Sequence, residues 1–180
     1  SESERLSRLT ENLMTLARSD EDFLPVYTAQ VDITALCKKV AVQMSLLAAE
    51  KKLQLKQEIQ DNLVMQGDEM VLSRLLIILL DNAIKYSPEQ TTITLRVAKV
   101  KTHLVLEVRD EGCGISDEDK QKIFDRFFRV DKARSRSQGG LGLGLSLALA
   151  IVRQHGGSIK VLDNKPQGTI MYVQLPTDAK

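Results

Sequence analysis

The sequence predicts an α/β domain with a helical appendage at its N-terminus, and three observations carry that expectation. Segments with period-two alternation, Leu53 to Ile59, Thr92 to Val100, His103 to Asp110, Ser158 to Leu162 and Gly168 to Leu175, are interspersed with amphipathic helical stretches at 33–52 and 68–86. Thr92 to Val100 and His103 to Asp110 are joined by so short a connection that they read as an antiparallel hairpin. A second hairpin at the C-terminus completes the sheet. Finally, 180 residues, 43% of them hydrophobic, supply one core and leave room for an appendage.

Composition also excludes function classes. A formal net charge of +1 gives no general attraction to nucleic acid or an anionic membrane, so any basic cluster must act locally. Cys37 and Cys113 lie far apart and outside metal or redox spacing, which fits a reducing compartment. No apolar run approaches a membrane span and nothing resembles a signal peptide. The chain begins without Met and is expected to be a soluble fragment of something longer.

In order, residues 1–22 carry Leu6, Leu9, Leu13 and Leu16, an a/d stripe that wants a partner helix unless it packs on its own domain. Residues 23–32, with Pro25, read as a linker and first strand, and Asp32 as the N-cap of the helix from Ile33 to Lys52. Val64 to Gly67 reads as a short apolar bridge. The helix from Asp68 to Tyr86 buries Leu72, Leu75, Leu76, Leu79 and Ala83 and stops where Ser87 precedes Pro88. Asp117 to Phe128 begins as a capped helix and ends in Phe124, Phe127 and Phe128, three of the four phenylalanines. Arg126, Arg129, Lys132, Arg134 and Arg136 make the following segment basic. It suits a lid over a phosphate tail, or a solvated or docking loop.

The stretch Gly139 to Gly157, GGLGLGLSLALAIVRQHGG, is ambiguous by period: Leu141, Leu143, Leu145, Leu147 and Leu149 alternate as in a buried strand. Composition decides for helix. Leu and Ala dominate, β-branched residues wait until Ile151, and His155-Gly156-Gly157 supplies a stop, so a buried helix begins near Gly142. Its first-turn N–H groups beside glycines form an anion site, with a small-residue packing helix as the alternative. No Lys-Ser or Lys-Thr follows, which excludes the nucleoside-triphosphate P-loop, and no G-x-G-x-x-G follows a strand.

Two more features carry chemistry. Asn82, Lys85 and Tyr86 stand at i, i+3 and i+4, so an amide, an ammonium and a ring share one face of a greasy helix. These can ligate Mg²⁺, meet phosphate and stack on a base, or simply face solvent at a helix end. Asp110 continues the core-facing stripe of Leu104, Leu106 and Val108. A buried carboxylate needs donors, and an exocyclic amino group is one; the alternative is a turn Asp capping its own loop.

Together, Asn82 through Lys85 and Tyr86, then Asp110-Glu111-Gly112-Cys113-Gly114, then Phe124 to Phe128, then Gly140-Leu141-Gly142-Leu143-Gly144, resemble the N, G1, F and G2 boxes of sensor histidine kinases. The resemblance runs from about Pro25 to Pro176. It implies the Bergerat (GHKL) ATP-binding fold, a two-layer α/β sandwich whose mixed sheet is covered on one face by three helices. It also implies transfer of the γ-phosphoryl of ATP to a histidine and relay to a response regulator. Asn82 and Lys85 would be the catalytic pair, Asn82 holding Mg²⁺ and Lys85 the phosphates. Tyr86 would pack on adenine, and Asp110 would accept from its amino group, with Gly112 and Gly114 giving space. Residues 114–140 would be the ATP lid, with Arg126, Phe127 and Arg129 beside the nucleotide, and Gly140, Leu141, Gly142, Leu143 and Gly144 would wrap the triphosphate.

Residues 4–22 resemble the second helix of the dimerisation and phosphotransfer hairpin, so 1–22 is expected to be a partial phosphotransfer helix and 23–180 the ATP-binding domain. The acceptor histidine is expected outside this sequence, on a helix of the same or a partner protomer. Neither His103, on the polar face of a strand, nor His155, at a helix C-terminus, is followed by the family's phosphoacceptor residues. The parent is expected to be a membrane-anchored homodimer with this domain in the cytoplasm, and nucleic acid is not an expected partner. Ile78 stands where the family carries a second Asn, or its hydrolytic relatives a Glu, so weaker metal binding and negligible ATP hydrolysis are expected. Leu141 replaces a small hydroxyl residue. A rival reading is a nucleotide-sensing or partner-docking module of this fold without transfer activity. A serine kinase of the anti-sigma type is disfavoured by the leucine stripe.

Overall fold

The computed structural model describes residues 27–130 and 141–178, together with Ser3, Ser7 and Thr10. These last three are helical and exposed; the leucine stripe, Pro25 and the basic residues Lys132, Arg134 and Arg136 lie outside the described residues. The strands are β1 (Ala29–Asp32), β2 (Gln54–Ile59), β3 (Val64–Gly67), β4 (Thr92–Val100), β5 (His103–Arg109), β6 (Ser158–Asp163) and β7 (Thr169–Pro176). The helices are α1 (Ile33–Glu50), α2 (Glu69–Tyr86), α3 (Asp119–Lys122) and α4 (Gly144–Gln154).

Five strands form one sheet in the order β2-β4-β5-β7-β6. Only β2 runs parallel to its neighbour β4; the other pairs are antiparallel, so the sheet is mixed. One face is apolar across the strands. Leu95, Val108, Met171 and Val161 stand in register, as do Val97, Leu106, Val173 and Ile159. Onto it pack α1, which meets β2 and α2; α2, which meets β5 and α4; and α4, which meets β6 and β7. The other face is polar. Glu58, Arg96, Glu107, Tyr172 and Lys160 form one row across all five strands, with Arg109 closing on Glu107 and Lys160 lying 4.9 Å over the Tyr172 ring. Alternating sign along such a row stabilises cross-strand pairs instead of opposing them.

The predicted three-helix layer is present, and its ends are fixed by identifiable groups. Asp32 Oδ1 accepts from the Ala35 N–H at 2.9 Å, and Asp68 Oδ1 from Met70 and Val71. α2 buries Leu72, Leu75, Leu76, Leu79, Leu80, Ala83 and Ile84, each large side chain contributing about 1.5–3 kcal/mol. Its far end is held by Lys51 Nζ, which donates to the Ile84 and Lys85 carbonyls at 2.7 Å. His155 joins α4 to the start of α2. Its Nδ1–H donates to the Ile151 carbonyl at 2.9 Å, while Nε2 accepts from the Asp68 N–H at 3.2 Å. The ring thus bridges the two helix ends through both of its nitrogens.

Two expectations are corrected. The apolar bridge at Val64 to Gly67 is a strand, pairing antiparallel with β1 in a separate two-stranded sheet. The helix begun at Asp117 is a single turn, Asp119–Lys122, held by Ser116 Oγ accepting the Asp119 N–H. It cannot continue through Phe127, whose φ is +63°. Cys37 is fully buried, and burial pushes its thiol up to about 12, which leaves it a small hydrophobe. Cys113 is exposed and unpaired by any disulfide.

Candidate functional site

Asp110 follows the last residue of β5 and is 8% exposed. Its Oδ1 accepts two backbone N–H groups, from Gly112 at 2.9 Å and from Thr169 at 3.2 Å. Its main chain is clamped as well: the Asp110 N–H donates to the Thr169 carbonyl at 2.9 Å, and Asn164 Nδ2 donates to the Asp110 carbonyl at 2.8 Å. The β6–β7 connection approaches so closely that a Cβ on Gly168 would lie 1.9 Å from the Asp110 carbonyl oxygen, at a φ of +109°. Only glycine fits there. Oδ2, by contrast, takes no hydrogen bond among the described residues. Burial raises the carboxyl pKa, and the Gly112 and Thr169 donors only partly offset it. The site is therefore a rigid carboxylate with one oxygen satisfied by the protein and one left for an external donor.

The loop after Asp110 is pressed against the end of α2. A Cβ at Gly112 would stand 2.8 Å from the Tyr86 carbonyl, and Gly114 turns the chain away at φ +76°. Glu111 secures it from the other side, its Oε2 accepting the Thr92 N–H and its carbonyl accepting from Gln167 Nε2. Tyr86 is 54% exposed, so its ring is available beside that loop. Asn82 is half-buried, and its amide makes no hydrogen bond among the described residues. Lys85 is engaged: its Nζ pairs with Asp81 Oδ2, one turn back, at 2.5 Å.

The glycine segment meets α2 one turn earlier, where a Cβ on Gly144 would touch Ile78 Cγ2 at 3.5 Å. Among the described residues no side chain caps the N-terminus of α4, so its first-turn N–H groups could receive an anion. Gly142, at φ +73°, accepts the Phe127 N–H at 2.9 Å, which ties this segment to the residues after α3. Leu143 can take its expected role through the main chain alone. Its side chain is buried in the core, leaving only its backbone to face a ligand. Leu141 and Phe127 are exposed, as is Arg126, and Arg129 is half-buried. Gly140 lies outside the described residues. The fold thus brings the end of α2, the Asp110 loop and the start of α4 together through the Gly112–Tyr86 and Gly144–Ile78 contacts. Residues whose contacts here have no local sequence signal complete it: Thr169, 59 positions from Asp110, Asn164, 54 away, and Lys51 beneath the end of α2. Asp81 was legible as the i−4 partner of Lys85.

Comparison with known proteins finds relatives of both the sequence and the fold. The family described as histidine kinase-, DNA gyrase B- and HSP90-like ATPase matches residues 67–179. The sensor protein CiaH of Streptococcus pneumoniae is 41% identical over 167 residues, covering 93% of this chain. The chain spans only 37% of that relative's length. Among solved structures, full-length ShkA in complex with AMPPNP superposes with a TM-score of 0.83 at 25% identity, covering 97% of this chain and 37% of ShkA. Histidine kinase ThkA, solved in complex with response regulator protein TrrA, shares the fold with a TM-score of 0.77 at 23% identity, over 97% of this chain and 49% of ThkA.

Proposed function

The chain belongs to the histidine kinase-, DNA gyrase B- and HSP90-like ATPase family, and on that premise we propose that it binds MgATP and passes the γ-phosphoryl group to a histidine on a phosphotransfer helix, for relay to a response-regulator aspartate. The observation that carries this reading is Asp110: in a carboxyl group largely buried by the fold, Oδ2 takes no donor among the described residues and is matched by the amino group of adenine. Tyr86 lies beside the base and Lys85 meets the phosphates once it leaves Asp81. The uncapped first turn of α4, with Gly142 and Gly144, receives the β- and γ-oxygens.

The described residues contain no group of three His, Cys, Asp or Glu side chains able to hold a metal. The Asn82 amide, without a hydrogen-bond partner among the described residues, has an oxygen that would suit Mg²⁺ brought with the phosphates. Such an ion supplies neutralisation of charge on the phosphates. The domain's own part is positioning. The acceptor imidazole nitrogen forms a bond to the γ-phosphorus as the bond to the β–γ bridging oxygen breaks, and ADP departs with the electron pair. With Ile78 in the position one turn before Asn82, no base faces a water there, so hydrolysis is expected to be negligible. The acceptor is expected on the same or a partner protomer of a membrane-anchored homodimer. In the described residues no helix is long and apolar enough to cross a membrane.

Asn82→Ala is expected to abolish transfer to a supplied phosphotransfer domain while nucleotide still binds. Retained transfer would remove Asn82 from the metal site. ATP bound normally by the wild-type chain but never transferred would favour the module without chemistry.

A further inference from the structure

The outer face of α1 has no role in the proposed site. The helix is seated on the domain through Ile33, Leu36, Cys37, Val40, Ala41, Met44 and Ala48, all buried. Its opposite side should be polar. Instead Val42 is 63% and Leu46 69% exposed, one turn apart, with Ala35 and Ala49 continuing the same stripe. A seam one residue wide with small residues at its ends is shaped for another helix, not for a sheet or a small ligand.

Charge selects the partner. Lys39 precedes the apolar pair and Glu50 follows it, at nearly equal spacing, and eleven residues on a helix bring both to nearly the same angular position. Both are exposed, and neither is engaged in an ion pair among the described residues. Lys38, the neighbouring cation, is already taken by Asp61 at 3.0 Å. Turned end for end about its midpoint, the stripe is its own complement: Lys39 meets Glu50, and Val42 meets Leu46. That is the requirement for an isologous two-fold contact.

We propose that the outer face of α1 pairs antiparallel with the same face of a second copy of this chain, with Val42 and Leu46 at the centre and Lys39 opposite Glu50 of the other copy at both ends. One helix crossing buries less than the roughly 1,200 Å² of a stable independent interface, so the contact is weak between free chains and gains from copies already held close. The inference does not depend on the chemistry at the nucleotide site.

The test is zero-length carbodiimide cross-linking of the full chain, as an equilibrated mixture of light and heavy nitrogen-labelled protein, read by peptide mass spectrometry. Within one helix Lys39 and Glu50 are separated by about 16 Å, too far for a direct amide, so any such link is intermolecular. The expected result is a mixed-isotope Lys39–Glu50 peptide that falls at least about tenfold in Leu46→Glu, a substitution at an exposed site that leaves the melting temperature in place. Lys39→Glu and Glu50→Lys should each weaken self-association in sedimentation, and the double exchange should restore it, which a parallel pairing would not do. Absence of the mixed-isotope link, an undiminished link in Leu46→Glu, or links from Lys39 and Glu50 to residues 1–22 instead would each overturn the proposal.

Discussion

The two halves of the site are built differently. On the Asp110 side the carboxylate is held from several directions: Gly112 and Thr169 donate to Oδ1, Asn164 holds the carbonyl, and Glu111 is anchored to β4 and to Gln167. All of this rests on sheet strands and their connections. On the α2 and α4 side the groups expected to meet phosphate are unfinished. Among the described residues Lys85 is turned to Asp81, Asn82 has no hydrogen-bond partner, and the first turn of α4 has no side-chain cap. The half proposed to recognise the base is preorganised by the fold, whereas the half proposed to meet the phosphates is left for its ligand to complete. Rigid scaffolds give specificity without reorganisation; helix ends and exposed ion pairs rearrange at little cost.

The largest expected effect breaks the rigid half. Asp110→Asn keeps an oxygen for Gly112 and Thr169 but presents an NH₂ where the adenine amino group needs an acceptor. Affinity for both adenosine and ATP is expected to fall about a hundredfold, measured by titration calorimetry. The fold should not suffer. Burial raises the Asp110 carboxyl pKa above its ordinary 3.8, so the folded chain binds that proton more tightly than the unfolded one. Asp110 therefore costs the fold stability progressively as pH rises from near 4 through the raised value, and the full cost remains above it. Melts of the two proteins across that range should show Asp110→Asn gaining on wild type as pH rises and then holding a constant lead. A variant that loses stability at neutral pH would make Asp110 a purely structural turn residue.

Next comes the unfinished half. Lys85→Ala should lower ATP affinity roughly tenfold and leave adenosine binding unchanged, because only the phosphates reach it. Asp81→Asn should do the opposite, raising ATP affinity a few-fold by releasing Lys85 and removing a negative charge. Its effect on stability should be under about 0.5 kcal/mol, as expected of an exposed i,i+4 pair. Equal losses of adenosine and ATP in Lys85→Ala would erase the distinction between the halves. The smallest effect tests the tie between them. Gly142→Ala forces a side chain into a φ of +73°, with its Cβ 2.8 Å from the Phe128 carbonyl. It is expected to cost about 1–2 kcal/mol in denaturant unfolding and to weaken ATP only a few-fold.

This division also explains what the sequence disclosed. The helices were legible because their signals are local: the leucine spacing of α2, the Asp32 cap, and the Leu and Ala content that outweighed the period-two alternation of Leu141 to Leu149. Asp110 was legible because it breaks an apolar alternation. The donor role of Thr169 toward it was not, since nothing in a strand's first residue announces a donor 59 positions away. β3 was missed because four residues with an exposed-buried alternation are too few to distinguish from a bridge. The helix at Asp117 was overread because Phe127 leaves helical space to donate to Gly142, a tertiary demand with no local signature. Leu143 shows the same limit: the glycine pattern assigns it to the ligand, while packing assigns its side chain to the core.

The account is tested most directly by thermal melts of wild type and Asp110→Asn, with saturating ATP in the presence of Mg²⁺ and again with Mg²⁺ chelated. At a hundredfold excess over Kd, binding stabilises the wild type by roughly 2.7 kcal/mol, a rise of about 5–10 °C for a chain of this size. The rise should shrink without Mg²⁺ and fall to about 1 °C in Asp110→Asn at the same ATP concentration. No rise in wild type, or an equal rise in the variant, would contradict a nucleotide site organised around Asp110.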